Sequence, residues 1–431
     1  MKSEIAIIGA GSAGLYTALD LRLRGFEVSL FDRSVAGSGT SGKFHGLLHS
    51  GARYAVTDKR AAIECISESN ILKQIAGHCI DDTGGLFVSI SRQDSEYGEQ
   101  LRKALDSCGI KYENMDADET IAAEPRLSPE VVESISVPDA VLLGSEFISS
   151  LALSCISMGV RYHPFRELQS ARVAGDEIHS LTFRSTIDGR TETEKTDFVV
   201  NATGPWTGRT SEILGAKFNI LPVAGTMLLM SEKYASRVIN RMRKPSDGDI
   251  IVPYGMHSIL GTTASMAEDP DSVYVDDLDV ELLLEEATFM IPLISAFDIV
   301  RTYSSVRPVI MSGEMKSDGP RAATRDFTVQ AGKETGLSNL VTLSGGKMTT
   351  SRLMGEETAD TVSSILGGGA ACRTASFTLA VPRLPDNIGL PTYRGNDMLQ
   401  VSLAALKGGI DEERQKALML LAMINCDSRE K

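Results

Sequence analysis

Gly9, Gly11 and Gly14 form a Gly-x-Gly-x-x-Gly spacing directly after the apolar run Ile5-Ala6-Ile7-Ile8. That spacing suits phosphate chemistry. The first glycine permits a tight turn and the second lets backbone approach a pyrophosphate. The third lets the following helix pack close to the strand. A helix beginning there offers free N–H groups and a partial positive charge to the anion. A second apolar run, over 26–32, ends in Asp32, 18 residues beyond Gly14. A carboxylate near the usual ~20-residue distance binds a ribose hydroxyl. The pair points to a dinucleotide site; its bland counterpart is an ordinary strand–helix–strand unit.

Residues 33–43 are rich in glycine and serine and follow the acid directly, which favours a loop wrapped along a cofactor over a plain linker. Next come His45, His49, Arg53 and Tyr54, interleaved with glycines on an irregular strand. A histidine near its ordinary pKa suits proton abstraction, which makes His49 a candidate base. Holding a loop is the alternative for the same side chain. Two later segments return small residues to the nucleotide edge: Asn201-Ala202-Thr203-Gly204 and Ser344-Gly345-Gly346-Lys347.

The elements needed to position these groups read as follows. The isoleucine-rich run is too short for a helix and reads as a buried parallel strand. A helix follows over 13–24. An amphipathic helix spans 58–76, with Ala61, Cys65, Ile66 and Leu72 largely on one side. The pattern changes over 82–138, with strands over 85–90, 110–115 and 132–137 and helices over 95–108 and 118–124. A helix over 145–158 and strands over 160–163, 168–173, 178–184 and 197–200 follow. Residues 218–307 are strand-rich with a helix over 279–290, and a long helix over 348–366 ends at Gly367-Gly368-Gly369, read as a hinge. The chain thus leaves the nucleotide edge and returns to it.

The chain has 431 residues, 42% hydrophobic and 23% charged, with a net charge of −14. Those values describe a globular protein large enough for two or three lobes. The acidity argues against a nucleic-acid surface. The six cysteines include no Cys-x-x-Cys pair, so no metal site is expected and reduced thiols in the cytoplasm are the simpler reading. The first strand begins almost at once, leaving no room for a targeting peptide. No apolar run approaches the ~18 residues of a membrane span. The run Ala417-Leu418-Met419-Leu420-Leu421-Ala422-Met423-Ile424 suits a core or docking helix.

Several blocks together resemble one family. They are the N-terminal motif, His45-Gly46-Leu47-Leu48-His49-Ser50-Gly51-Ala52-Arg53-Tyr54-Ala55, Asn201-Ala202-Thr203-Gly204, Arg243-Lys244-Pro245-Ser246-Asp247, Gly261-Thr262-Thr263, Tyr303-Ser304-Ser305-Val306-Arg307-Pro308 and Ser344-Gly345-Gly346-Lys347-Met348-Thr349. They resemble the FAD-dependent glycerol-3-phosphate dehydrogenases, nearest to the catalytic chain of the anaerobic type. The likeness covers roughly 1–366. It implies an α/β fold: a Rossmann-like FAD-binding domain with an inserted mixed-sheet substrate domain and a small C-terminal extension. The expected boundaries are 1–80, 140–215 and 325–367 for the first, 81–139 and 216–324 for the second, and 370–431 for the extension.

The resemblance further implies oxidation of sn-glycerol 3-phosphate to dihydroxyacetone phosphate, with hydride transfer from C2 to the flavin N5. Its matching motifs give Arg53, Tyr54, Arg307, Arg325 and Lys347 as substrate-binding, and His49, Arg307 and Lys347 as catalytic. A buried phosphate dianion needs several cations, and arginine grips it bidentately. The expected FAD set is Gly9, Gly11, Ser12, Ala13, Gly14, Asp32, Arg33, Thr40, Ser41, Lys43, His45, Gly46, Leu48, Val173, Ala202, Thr203, Gly204, Gly346, Lys347, Met348 and Thr349.

Two departures stand out. Aerobic relatives carry a histidine in a Gly-Ser-His block where this chain has Gly225-Thr226-Met227. Catalytic chains of the anaerobic type continue into a cysteine-rich module, whereas Cys426 stands alone here. Electrons are therefore expected to pass to a quinone or a partner redox protein docked near the C-terminal segment, at the cytoplasmic membrane face. Two other readings stand beside this one: a flavoprotein of the same fold acting on a 2-hydroxy acid or an amino acid, and a non-catalytic flavin electron-transfer protein.

Overall fold

Buried on both faces, the isoleucine-rich run forms the strand Glu4–Ile8, and the glycine turn leads into the helix Ser12–Leu23. The structure is a computed structural model describing residues 3–310, 326–332 and 334–381. Glu4–Ile8 lies between Phe198–Asn201 and Glu27–Phe31, parallel to both. Arg161–His163 extends the sheet past Glu27–Phe31. Leu337–Gly345 and then Phe327–Gly332 extend the other side, and only their mutual pairing is antiparallel. Three of these strands therefore end on one edge, in the turns that begin at Gly9, Ala202 and Gly345. Ligands of open parallel sheets bind at that edge.

The helix Ser12–Leu23 is buried almost all round, because Gly144–Ser157 and Ser351–Leu366 pack against it. Its Leu15, Tyr16 and Leu19 join Ile5, Ile7, Val28, Leu30 and Phe147 in the main core. Ser351–Leu366 is tied to the helix Lys59–Ile75 by an ion pair, Arg352 Nε to Glu68 Oε2 at 2.8 Å, with both side chains buried. Removing one partner of such a pair costs about 3–5 kcal/mol. On the opposite face of the parallel sheet lies a small antiparallel sheet, Arg166–Ala174, Glu177–Ser185 and Thr191–Lys195, sealed by Phe31, Leu181 and Phe183.

A nine-stranded mixed sheet forms the other half. It draws strands from two stretches of chain, 85–137 and 220–310. The parallel pairing of Val238–Arg241 with Gly85–Ser89 stitches the stretches together. Ile220–Met230 and Ile299–Ile310 form a long antiparallel ribbon in which Arg307 stands opposite Val223.

Several details differ from the sequence expectation: the helix expected over 95–108 begins at Arg92, the strand expected over 110–115 is Glu113–Asp116, and Ala140–Leu142 is an additional strand. The last long helix starts at Ser351, not 348, because the Gly345–Gly346 turn runs on through a short bend. The strand Thr191–Lys195 carries no local signal, since its Thr-Glu-Thr-Glu-Lys sequence has no apolar face and pairs as an exposed edge. The helix Thr207–Ile213 escapes sequence reading as well; it is short and holds Gly208. Beyond Gly367 the chain runs back along the first half, where Leu379 N donates to Ile75 O at 2.8 Å.

Cys65, Cys79, Cys108 and Cys155 are buried and free. Burial pushes the Cys65 thiol up to about 12 and Cys79 up to about 11, so both stay protonated and inert at neutral pH. No helix of the described residues is long and apolar enough to cross a membrane. Arg325, Cys426 and the apolar run 417–424 lie outside the described residues, as does the expected extension beyond residue 381.

Candidate active site

One cavity of about 2340 Å³ is lined by residues of both large sheets. Pockets for single small ligands usually measure ~300–1,000 Å³. This one is large enough for a dinucleotide with a second molecule beside it.

The glycine turn shapes its nucleotide end. Gly9 has φ +105°, and a Cβ there would stand 2.5 Å from the Ala202 carbonyl oxygen. A Cβ on Gly14 would run into the Gly9 carbonyl oxygen, so Gly14 acts in helix packing and does not line the cavity. Gly11 faces the cavity, where a Cβ would meet only Ser41 Oγ, at 3.2 Å. Ser12 N also donates to Ser41 Oγ at 3.0 Å, which ties the 33–43 loop to the helix start. Asp32 accepts from Ala10 N and Ser34 N, both at 2.8 Å. Burial pushes its carboxyl up and these two N–H groups oppose the shift. A carboxylate has about four acceptor positions, so room remains for a ribose hydroxyl.

Gly9, Ser12, Ala13, Arg33, Thr40, Ser41, Lys43, His45, Ala202, Thr203, Gly204, Gly346, Lys347, Met348 and Thr349 all line this cavity. The Leu48 side chain is wholly buried in the main core instead. Gly46 lies under the Tyr254 ring, 2.8 Å from where its Cβ would be. Val173 is a correction. It is 39% exposed, near the hairpin end of Arg166–Ala174, and it does not line the cavity. Arg166, Glu167 and Leu168, at the strand's start, do. Arg166 N donates to Asp32 O at 2.7 Å, so that start is held at the ligand-binding edge.

The other end gathers the reactive side chains. Gly51, at φ +92°, turns the chain tightly against Ala62 and delivers the short 3-10 turn Ala52–Tyr54. His49 is buried; its N–H donates to Thr349 Oγ1 at 3.2 Å, and its Nε2 lies 3.5 Å from the Tyr54 hydroxyl. Lys347 Nζ stands 5.0 Å from the centre of the Tyr54 ring. Arg307 donates through Nη2 to Thr263 O at 2.8 Å, which fixes its guanidinium plane at the cavity wall. Met227 also lines the cavity.

Arg53 reaches the cavity already matched by a carboxylate. It pairs with the buried Asp249 at 3.0 Å. Asp249 also holds Arg243, at 2.6 Å; Arg243 and Arg241 share Glu286, each at 3.0 Å; and Asp94 closes the chain on Arg241 at 3.5 Å. Cations and carboxylates alternate and balance, so Arg53 adds little net charge for an anion. Asp249→Ala would leave Arg53 without its carboxylate and Arg243 with Glu286 alone, where the Asp249 side chain has no exposure. It is expected to lower the unfolding free energy by about 3–5 kcal/mol, read by urea denaturation. Adding Arg53→Met should recover part of that loss, whereas an unchanged midpoint in the single variant would remove the network from the stability account.

Residues 4–361 match the DAO family, described as FAD dependent oxidoreductase. The chain belongs to that family. Two curated relatives are similar to this oxidoreductase. The A1 chain of the anaerobic glycerol-3-phosphate dehydrogenase of Haloferax volcanii is 35% identical over 386 residues, 87% of this chain and 66% of that one. The corresponding chain of the anaerobic glycerol-3-phosphate dehydrogenase of Escherichia coli K12 is 34% identical over 390 residues, 90% of this chain and 72% of that one. The oxidoreductase thus spans about two thirds to three quarters of their length. Among solved structures, the L-alpha-glycerophosphate oxidase of Mycoplasma pneumoniae with FAD bound superposes with a TM-score of 0.72 at 16% identity, over 89% of this chain and all of that one. That likeness speaks for the fold.

The residues fit FAD. The Gly11 approach, the open start of Ser12–Leu23 and the Asp32 carboxylate suit its ADP half, and the remaining length of cavity reaches the His49–Lys347 group. Among the described residues there is no group of His, Cys, Asp and Glu that could hold a metal ion. Sequence reading misses Trp206, Arg209, Asp249 and Asp271 at the site. Asp271 sits in a loop with no motif; Asp249 lies two residues beyond the Arg243–Asp247 block and Trp206 follows the Ala-Thr-Gly block, so each could be found as a continuation.

Proposed function

We propose that this oxidoreductase converts sn-glycerol 3-phosphate to dihydroxyacetone phosphate. The observation that carries the reading is the meeting of Arg307, Lys347, Tyr54 and His49 in the cavity that Gly11 and Asp32 also line. The names of the curated relatives support the same substrate. Bound FAD supplies the two-electron acceptor. Arg307, with its plane fixed by Thr263, and Lys347 hold the phosphate dianion. Tyr54 packs against Lys347 and orients the glycerol carbons. His49 takes the proton from the C2 hydroxyl as the carbonyl forms, and the flanking protein excludes water from the developing charge.

His49→Gln is expected to slow substrate-driven flavin bleaching about a hundredfold, the scale of one general base, with FAD content unchanged. Loss of FAD in step with the rate would make His49 a loop-holding residue instead. A 2-hydroxy acid or amino acid needs only a carboxylate clamp, so comparing glycerol 3-phosphate with glycerol, lactate and glycine at equal concentration separates the readings. Turnover of glycerol equal to that of its phosphate ester would end the phosphate-site proposal. Electrons then pass to a partner redox protein or a quinone at the cytoplasmic membrane face; the relatives' names, which mark each as one chain of a multi-chain enzyme, support a partner.

A further inference from the structure

Asp271 takes no part in the chemistry above, yet it accepts from three side chains of distant segments. Arg33 Nη2 donates at 2.7 Å, Trp206 Nε1 at 2.9 Å and Arg209 Nη1 at 2.9 Å. Arg209 also pairs with Asp269 at 2.6 Å, and the Arg33 guanidinium lies 4.3 Å from the centre of the Trp206 ring. Asp269 and Asp271 lie between the strand Ser265–Met266 and the helix Asp277–Met290, on the side of the nine-stranded sheet. Arg33, Trp206 and Arg209 follow strands of the parallel sheet. Asp271, Arg33, Trp206 and Arg209 line the cavity, and the ionic side chains are 38–50% exposed, so they meet at its rim.

We propose that Asp271 is the bolt of a clasp that closes the cavity over the adenosine end of FAD, and that its opening sets the rate at which FAD leaves. The loop it restrains is the one the cofactor must pass. Arg33 adjoins Asp32, which faces the ribose position. Six residues on, Gly39 sits under Trp206, where a Cβ would stand 3.1 Å from the ring. The loop is therefore held at Arg33 and again beneath the tryptophan that Asp271 fixes. One carboxylate satisfying three donors makes the closure cooperative, since removing Asp271 releases Arg33 and Trp206 together and leaves Arg209 on Asp269 alone. Half-exposed ion pairs are individually weak and screened by salt, unlike the buried Arg352–Glu68 pair. That suits a contact meant to open. The inference depends on the family's cofactor and not on the substrate reading.

The test is FAD release from the loaded protein, followed by the fluorescence of free FAD after dilution, at low and high sodium chloride. Wild type should release faster as salt rises. Asp271→Asn should release about tenfold faster at low salt, as expected for losing two or three exposed contacts, and respond little to salt. Arg209→Gln should move in the same direction by less, which covers any local misfolding of the first variant. Equal release rates in wild type and Asp271→Asn, or an undiminished salt response in the variant, would overturn the clasp. No substrate is present, so the result stands whatever the substrate proves to be.

Discussion

Arg307→Ala is expected to lower kcat/KM for glycerol 3-phosphate by between about thirtyfold and several thousandfold, since removing one partner of a buried charged contact costs about 2–5 kcal/mol and each 1.4 kcal/mol is tenfold. FAD content should hardly change. Arg307 lies on Ile299–Ile310, where it is anchored by the Thr263 carbonyl and braced against the Ile220–Met230 ribbon. Its side chain can be shortened without touching the glycine cradle. Lysine at the same position should recover little, because a point charge cannot reproduce a planar fork held in one orientation. A fall in bound flavin parallel to the fall in turnover would instead assign Arg307 to the cofactor.

Gly11→Leu is expected to give folded, colourless protein. A Cβ on Gly11 has space in the fold, with Ser41 Oγ as its one close neighbour, so the side chain projects into the cavity and occupies the pyrophosphate path. The contrast is Gly14→Leu, whose Cβ would collide with the Gly9 backbone and separate helix from strand. That variant should lose thermal stability along with FAD. Absorbance near the flavin bands and a melting curve distinguish the two outcomes. Full FAD occupancy in Gly11→Leu would contradict the assignment of this turn to the pyrophosphate.

The parts of this architecture governed by local rules are legible from the chain. The glycine spacing, the buried strand, and the helix Lys59–Ile75 with its Asp58 cap all follow from short-range sterics and periodicity. Residues brought in by long-range packing are not. Val173 belongs to a strand that sequence reading finds, but which end of that strand meets the ligand depends on Arg166 pairing with Asp32. Arg53 reads locally as a cation for the substrate. Its charge is taken up by Asp249, nearly two hundred residues away in sequence, a pairing that no local pattern announces. Trp206 and Asp271 are likewise joined only by the meeting of the two sheets. His49 and Tyr54, five residues apart, are found together because one tight turn at Gly51 delivers both.

The central claim is the substrate, and the most direct test is anaerobic titration of the FAD-loaded protein with sn-glycerol 3-phosphate. The flavin absorbance should bleach completely, with one dihydroxyacetone phosphate formed per flavin reduced. Glycerol, lactate and glycine at the same concentrations should leave the spectrum unchanged. A flavin that stays oxidised with glycerol 3-phosphate, or that bleaches with one of the others, would contradict the account.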